Sequence, residues 1–175
     1  MSAHPTFPYI DHEVIRLTAS GVWLADGEEI THERTLSAFQ RHLHPTEDGM
    51  GWEIRIGRER KRIEVEDTAF FVRKIEGTPE TGFRLFLTDG TEQELDPKTL
   101  DYRPGRLVCR IHWPREGSPV ITNDTATKEK GSPGWAEARF LRAPYIELLS
   151  HAVVEDETFT LQFGTVKILL QEEVT

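Results

Sequence analysis

Alternation of apolar and polar residues dominates the chain and predicts a protein built mainly from antiparallel strands. Trp52, Ile54 and Ile56 alternate with charged residues, which gives a strand one buried and one solvated face. Further strand signals occupy residues 22–24, 28–30, 63–65, 69–75, 83–87, 92–95, 107–111, 159–163 and 166–170. Turn signals that favour hairpins separate several of them: Asp26-Gly27, Gly57, Asp89-Gly90 and Gly164-Thr165.

Two segments instead carry the spacing of an amphipathic helix. In the first, Thr31 is the predicted N-cap, apolar residues follow at helical spacing up to Leu43, and Pro45 is predicted to end the helix. The second runs from Ala138 to Ala152. Pro144 interrupts it, so this proline either kinks the helix or lies in the first turn of a helix that starts there.

These elements predict an α+β fold of two similar small subdomains, each a curved antiparallel sheet with one covering helix. Residues 1–20 form a tail and entry segment, and residues 21–78 and 79–175 form the two subdomains, with the turn-rich segment 77–82 at the boundary. The similar order of elements in the halves suggests a duplicated unit. Residues 114–134, rich in Pro, Gly, Ser and Thr, predict a long loop.

Composition and charge narrow the range of partners. The 175 residues are 37% hydrophobic and carry a formal net charge of −9, so we expect a packed core and no nucleic-acid partner. Neither a membrane-length apolar run nor a signal peptide is seen, which favours a cytoplasmic protein with no membrane partner. The single Cys109 is predicted to be a buried, inert thiol, and the histidines are predicted to be solvated. No cofactor and no metal site are expected.

The strongest local positive charge lies at residues 55–62, just before Glu66 and Asp67. Its arginines, Arg55 and Arg60 among them, suit phosphate or carboxylate oxygens, which indicates an anion-binding rim. The alternative is a solvated hairpin balanced by neighbouring glutamates. Adjacent strand residues point in opposite directions, so Glu66 and Asp67 are not expected to act as a pair of carboxylates. Asp67 is instead predicted to accept backbone hydrogen bonds in a turn.

A second candidate surface lies in the later half. Arg139, Arg142 and Tyr145 follow one another at intervals of three, which on a helix places them near one face. Guanidinium groups there would hold a phosphate, and Tyr145 or Trp135 would stack against a base. The alternative is a set of structural ion pairs.

Several segments resemble the bacterial domain of unknown function family 1285. The resemblance rests on Glu59-Arg60 with Ile63, Val65, Glu66, Asp67 and Phe70, on Gly21, Trp23, Gly27 and Ile30, and on the segment Ala138–Leu148. The chain departs from the family pattern at Gly57 and Ala69. The resemblance implies two similar α+β subdomains, the second like a pleckstrin-homology domain, a small nucleotide-like ligand in the cleft between them, and a role in signal transduction without established enzymatic activity.

The sequence thus predicts a ligand-binding module with a signalling or regulatory role. Its small anionic ligand, for which a nucleotide-like molecule is one candidate, would contact Arg55, Arg60, Arg139 and Arg142, with Asp67 orienting the arginines and Trp135 or Tyr145 stacking. Two alternatives are a protein-interaction domain and a metal-dependent hydrolase that uses Glu66 or Asp67; no catalytic residue is assigned.

Overall fold

A computed structural model describes residues 11–113, 134–155 and 157–170 and shows an α+β protein with two sheet-rich units and two helices. The first unit contains the described residues up to Phe71 together with Thr88–Thr91, and the second contains Val72–Leu87 and the described residues from Glu92 onward. The division therefore falls after Phe71, whereas the sequence suggested Thr78. The reason is that the strand Phe70–Thr78 pairs, from Val72 onward, with the strand Gly82–Leu87 of the second unit.

The first unit is built on a mixed six-stranded sheet with one helix. Its elements are β1 (Ile15–Leu17), β2 (Trp23–Ala25), β3 (Glu28–Glu29), α1 (Glu33–Arg41), β4 (Leu43–Pro45), β5 (Trp52–Ile56) and β6 (Glu59–Val65). The strand order is β3-β2-β1-β6-β5-β4. Strands β1 and β6 are parallel, with Arg16 opposite Glu64, and the other pairs are antiparallel. The prediction of a purely antiparallel sheet is wrong at this one pair, because alternation does not encode strand direction.

Helix α1 covers the first sheet but is shorter than predicted. Its N-cap is His32, whose side chain accepts a hydrogen bond from the Thr35 amide, so the prediction of Thr31 is wrong by one residue. The helix ends at Arg41 because Leu43–Pro45 extends as β4 and pairs with β5. Phe39, fully buried, packs against Trp23 with a ring separation of 5.5 Å. Leu43 is therefore part of the core, but as a strand residue. His44 beside it is also buried, so the prediction of a solvated histidine is wrong at this position.

The second unit holds two sheets and one helix. Its elements are β7 (Phe70–Thr78, whose first two residues belong to the first unit), β8 (Gly82–Leu87), β9 (Glu92–Glu94), β10 (Asp101–Arg103), β11 (Arg106–His112), β12 (Trp135–Phe140), α2 (Arg142–Leu149), β13 (Val153–Glu155), β14 (Thr158–Phe163) and β15 (Val166–Leu169). A short 3-10 turn, Pro97–Thr99, precedes β10. The sheets are ordered β10-β11-β12-β7-β8-β9 and β13-β14-β15.

The predicted second helix is a strand over its first part. Ala136, Ala138 and Phe140 are buried and alternate with less buried residues, and Ala138 pairs with Cys109 of β11. The helix begins only at Arg142, which places Pro144 in its first turn, as one of the two sequence alternatives stated. Small apolar residues at 136 and 138 satisfy a strand period as well as a helical one, and the pairing with β11 decides between them.

The core of the second unit contains the cysteine. Cys109 is buried, and desolvation of the thiolate raises the pKa of the Cys109 thiol to about 12, so the predicted inert thiol is found. Phe83 and Phe163 pack edge to face in the same unit, with ring centroids 6.0 Å apart. The predicted loop falls mostly outside the described residues, at 114–133, as do residues 1–10 of the predicted tail. Among the described helices, neither has the length and apolar character that a bilayer crossing requires.

Candidate functional site

The outer face of the β5–β6 hairpin carries the basic run that the sequence singled out. Arg55 lies directly opposite Arg60, and Glu53 lies opposite Arg62. Arg55 forms an ion pair with Glu53, and its Nη2 donates a 3.0 Å hydrogen bond to the carbonyl of Pro45. Both members of this ion pair have side chains that are largely buried. Arg55 is therefore fixed by contacts within the hairpin and the preceding strand.

Arg60 is also paired, but at the surface. Its Nη1 lies 2.6 Å from Glu47 Oε1 and 3.9 Å from Glu53 Oε1. The hydrogen bond with Glu47, followed by the charge of Glu47, raises the pKa of the Arg60 guanidinium above its ordinary value. These contacts match the balanced hairpin that the sequence left open as an alternative to an anion-binding rim. Ligand binding by Arg55 and Arg60 stays a prediction.

A cavity of about 400 Å³ opens beside this hairpin, within the first unit. The loop between β4 and β5, the strands β5 and β6, and Asp67, the second residue of the acidic pair, form its walls. Its lining residues are Pro45, Gly49, Met50, Gly51, Trp52, Arg62, Ile63, Val65 and Asp67. Residues 62–67, where the basic run leads into Asp67, therefore form one wall of the cavity. Small-molecule sites are usually concave in this way.

The loop that closes one side of the cavity is held by its own hydrogen bonds. The Thr46 amide donates to the Gly51 carbonyl at 2.9 Å, and the Gly49 amide donates to the Thr46 carbonyl at 2.9 Å. The Asp48 carboxylate accepts from the Thr46 hydroxyl and, at 2.9 Å, from the Met50 amide. The Thr46 bond, then the Met50 bond and the charge of Arg62, lower the pKa of Asp48. The loop thus has a defined conformation at the rim.

Arg62 is the cation that faces this cavity. Its Nη1 lies 3.9 Å from Asp48 Oδ2, which is too long for a hydrogen bond, and its side chain is 64% exposed. Gly51 makes room for the guanidinium, because a Cβ atom at position 51 would lie 3.2 Å from Arg62 Nη2. Arg62 therefore presents charged N–H donors beside the cavity, with only a distant ionic partner there.

The other lining side chains are apolar and include a fixed aromatic ring, although polar atoms form most of the surface that the cavity exposes. Trp52 meets Phe70 edge to face, with ring centroids 5.3 Å apart and an interplanar angle of 86°. Ile63, opposite Trp52 in the β5–β6 ladder, is buried, and Met50 on the loop is 83% exposed. The cavity therefore combines an apolar wall, one flexible thioether at the rim and one guanidinium.

Asp67 lines the same cavity, whereas Glu66 is used elsewhere in the first unit. The Glu66 carboxylate accepts a 2.9 Å hydrogen bond from the Ala19 amide. Asp67 is half-buried, and the turn after it is fixed by the buried Thr68, whose hydroxyl donates to the Phe70 carbonyl at 2.9 Å. The two carboxylates thus have separate surroundings, as expected for adjacent residues at a strand end.

In the described parts of the chain, no group of three or more His, Cys, Asp or Glu side chains is arranged to hold a metal ion.

In the second unit, the predicted helical face of Arg139, Arg142 and Tyr145 is wrong. Arg139 lies on strand β12, opposite Val108, and its Nη2 donates a 3.1 Å hydrogen bond to the Gly105 carbonyl. Arg142 is the first residue of α2 and is exposed, and the half-buried Tyr145 lies one turn further on. Only Arg142 and Tyr145 therefore share the helix.

Trp135 lies on the same face of β12 as Arg139 but four residues away, roughly 13 Å along the strand. Its ring is covered by Arg110, whose guanidinium carbon lies 4.2 Å from the ring centroid. This cation–π contact occupies one face of the indole. The sequence did not identify Arg110, although its alternation with Cys109 and Ile111 already placed it on the outer face of β11.

Three cavity residues were not among the predicted ligand contacts, although the first belongs to the predicted anion-binding rim: Arg62, Gly51 and Trp52. Arg62 belongs to the basic run, and Gly51 was recognised only as a loop signal. A stronger signal was the segment Thr46-Glu47-Asp48-Gly49, because a threonine and an aspartate beside a glycine are typical of a hydrogen-bonded turn. Recognising that turn would have placed a rigid loop next to β5 and β6.

The fold and this cavity define a two-unit α+β protein with a concave site in its first unit. No protein-family profile matches the chain, and comparison with curated proteins also gives no match. Its fold is shared with two solved structures of DUF1285 family proteins. The first, from Shewanella baltica OS155, is 16% identical with a TM-score of 0.51, over 78% of this chain and 91% of that one. The second, from Silicibacter pomeroyi DSS-3, is 18% identical with a TM-score of 0.52, over 99% of this chain and 91% of that one. The predicted resemblance to family 1285 is confirmed at the level of the fold.

Proposed function

We propose that this protein is a small-ligand binding module with a regulatory role, and that the cavity of the first unit takes the ligand. The observation that carries the proposal is the combination, in one cavity of about 400 Å³, of the Arg62 guanidinium, the Asp67 carboxylate and an apolar wall. Concave sites with a few convergent polar groups are typical of ligand sites. A cytoplasmic location and a role in signal transduction belong to the same proposal.

The sequence placed the ligand in a cleft between the subdomains, with Arg139, Arg142, Tyr145 and Trp135 as contacts. A ligand site is better supported in the first unit, because Arg62 and Asp67 line one cavity there. Arg62 therefore replaces Arg55 and Arg60 as the primary anion contact. The cleft between subdomains stays a prediction, as do the likeness of the second unit to a pleckstrin-homology domain and the duplication of one ancestral unit.

Thermal-shift screening with inorganic phosphate, nucleotides and small organic acids tests the proposal. A ligand that binds only the folded state raises the unfolding temperature by mass action. We expect at least one of these probes to stabilise the protein, and Arg62→Gln to abolish the shift. Arg58→Gln is the matched control, because Arg58 is exposed in the same hairpin and does not line the cavity. Absence of any shift across the panel at millimolar concentration contradicts the proposal.

A protein-interaction domain is the second candidate, and one observation favours it. Large apolar side chains are exposed at one end of the β13-β14-β15 sheet, namely Val153, Val154, Phe159 and Leu169. Exposed apolar clusters are typical of interaction surfaces. This candidate predicts that Val154→Ser combined with Phe159→Ser abolishes binding of a partner first identified by cross-linking and then purified. Unchanged affinity for that partner would reject it.

A further inference from the structure

The cavity in the first unit has a charge pattern that restricts the ligand further. Its lining contains one cation, Arg62, and one anion, Asp67. Asp48 lies next to Arg62 at the rim, and Glu47 and Glu53 lie around Arg60 on the same hairpin face. A ligand with several negative charges would meet these carboxylates as soon as it reached Arg62, and like charges at short distance repel. The surroundings therefore favour a single anionic group.

The geometry at Arg62 suits a carboxylate. A guanidinium offers parallel N–H donors that match the two oxygens of a carboxylate group. Its contact with Asp48 is 3.9 Å, beyond hydrogen-bond length, so an incoming carboxylate can make shorter bonds than the present partner does. Gly51 leaves the space in which that guanidinium lies, because a side chain at position 51 would press on Nη2.

Asp67, the second charged group of the lining, favours a hydrogen-bond donor on the ligand. Asp67 lines the cavity, and an ionised carboxylate accepts through two oxygens with about four lone-pair directions. It can therefore accept from a ligand ammonium or hydroxyl group while it keeps its contacts within the protein. The lining also includes Trp52, Ile63 and Val65, with Met50 at the rim. These side chains suit a compact apolar body.

We propose that the cavity binds a small organic acid of the amino-acid type, with one carboxylate at Arg62, one ammonium or hydroxyl group at Asp67, and an apolar side chain against Trp52. This inference rests on the proposed ligand-binding function and specifies its ligand class. It makes nucleoside di- and triphosphates poor ligands of this cavity. Recognition then depends on two opposite charges in the lining of one cavity, which discriminates against molecules that carry only one of them.

Isothermal titration calorimetry with L-leucine, L-methionine and L-phenylalanine on the full chain tests the inference. For leucine, the matched probes are L-leucinamide, which lacks the carboxylate, and 4-methylpentanoate, which lacks the ammonium group; ATP is the polyanionic probe. We expect at least one amino acid to bind with a dissociation constant below about 1 mM. Leucinamide and 4-methylpentanoate should each bind at least about tenfold more weakly than leucine, and ATP should not bind at this cavity.

Two variants test the proposed contacts at Arg62 and at Asp67 independently. Arg62→Gln should weaken leucine and 4-methylpentanoate by about tenfold or more and leave leucinamide unchanged, since leucinamide has no carboxylate. Asp67→Asn should weaken leucine and leucinamide and leave 4-methylpentanoate unchanged. If Asp67→Asn does not fold, Arg62→Gln alone decides, because Arg62 is exposed and its replacement leaves the core intact. Arg58→Gln should bind all probes as the native protein does.

The outcomes distinguish the inference from the function on which it rests. If ATP or another nucleotide binds in an Arg62-dependent way and no amino acid does, the ligand class proposed here is wrong and the binding function stands. If no probe binds, both are wrong. Amino-acid binding that is unaffected by Arg62→Gln also overturns the inference, since the carboxylate would then be held elsewhere.

Discussion

At the scale of single residues, the candidate site depends on a difference between three arginines of one hairpin. Arg55 and Arg60 are engaged by glutamates and a carbonyl at hydrogen-bond distance, whereas Arg62 has a carboxylate only at 3.9 Å. A close carboxylate uses N–H donors of a guanidinium and offsets its charge, whereas a loosely paired guanidinium keeps more of its donors and charge for a ligand. The three arginines carry the same charge, so the sequence does not distinguish them. The carboxylate and carbonyl groups that they contact in the structure do.

Gly51 provides a test of the Arg62 position that changes no charge. Replacement by alanine introduces a Cβ atom 3.2 Å from Arg62 Nη2, so the guanidinium must shift. We expect Gly51→Ala to weaken binding of any Arg62-dependent ligand by about tenfold, near 1.4 kcal/mol, because a shift of a few tenths of an ångström spoils a bidentate contact. Calorimetric titration of both proteins measures the effect. Equal affinities would show that the guanidinium position does not matter.

The carboxyl groups of Asp48 and Asp26 predict the response of the protein to acid. Hydrogen bonds from Thr46 and Met50 lower the pKa of Asp48 below its ordinary value of 3.8, and bonds from Val14 and His12 lower the pKa of Asp26 below the same value. A lowered folded-state pKa contributes stability that is present above pH 3.8 and is lost as the pH falls through the folded-state pKa.

Carboxyl carbon NMR titration should therefore give midpoints below 3.8 for Asp26 and Asp48. In Asp48→Asn the acid-labile contribution of this residue disappears, so the unfolding temperature should fall less between about pH 5 and pH 3 than it does in the native protein. A midpoint for Asp48 at or above 3.8 would contradict the hydrogen-bonded loop described at the rim of the cavity.

At the scale of secondary-structure elements, the strands were predictable and two of their boundaries were not. Alternation identified β5, β6, β8 and β11, and the glycine turns identified the hairpins between them. Leu43 and Ala138 were assigned to helices because their spacing satisfies both periods, and pairing with β5 and β11 makes them strand residues. The parallel contact of β1 with β6 could not be read from alternation, since that pattern has no direction.

The hairpin of β7 and β8 yields a sharp prediction from its glycines. Gly77 and Gly82 both have positive φ, but only at Gly77 would a Cβ atom clash with backbone, at 2.0 Å from the Gly82 carbonyl oxygen. We expect Gly82→Ala to cost about 1–2 kcal/mol from backbone strain alone. Gly77→Ala should cost more than Gly82→Ala, because the strands must separate as well. Urea unfolding measures both, and equal costs would contradict the close approach of the strands.

At the scale of the whole molecule, the fold is shared with two DUF1285 family proteins despite identities of 16% and 18%. The chain carries a net charge of −9, yet a guanidinium lines the cavity beside β5 and β6. The class of fold was accessible from the sequence through strand periodicity and family resemblance. The cavity could not be predicted from the sequence, because its shape depends on how the 46–51 loop folds beside β5 and β6. That loop conformation depends in turn on hydrogen bonds of Thr46 and Asp48.

The most direct test of the central claim, that the first unit holds the ligand site beside Arg62, is a protein-observed NMR titration. The probes are L-leucine and, separately, AMP, followed through backbone amides and the Trp52 indole N–H. We expect at least one of them to shift the resonances of residues 45–52 and 62–67 saturably, with the Trp52 indole among them. Shifts confined to Arg139, Arg142 and Tyr145, or no saturable shift with either probe, would contradict the account.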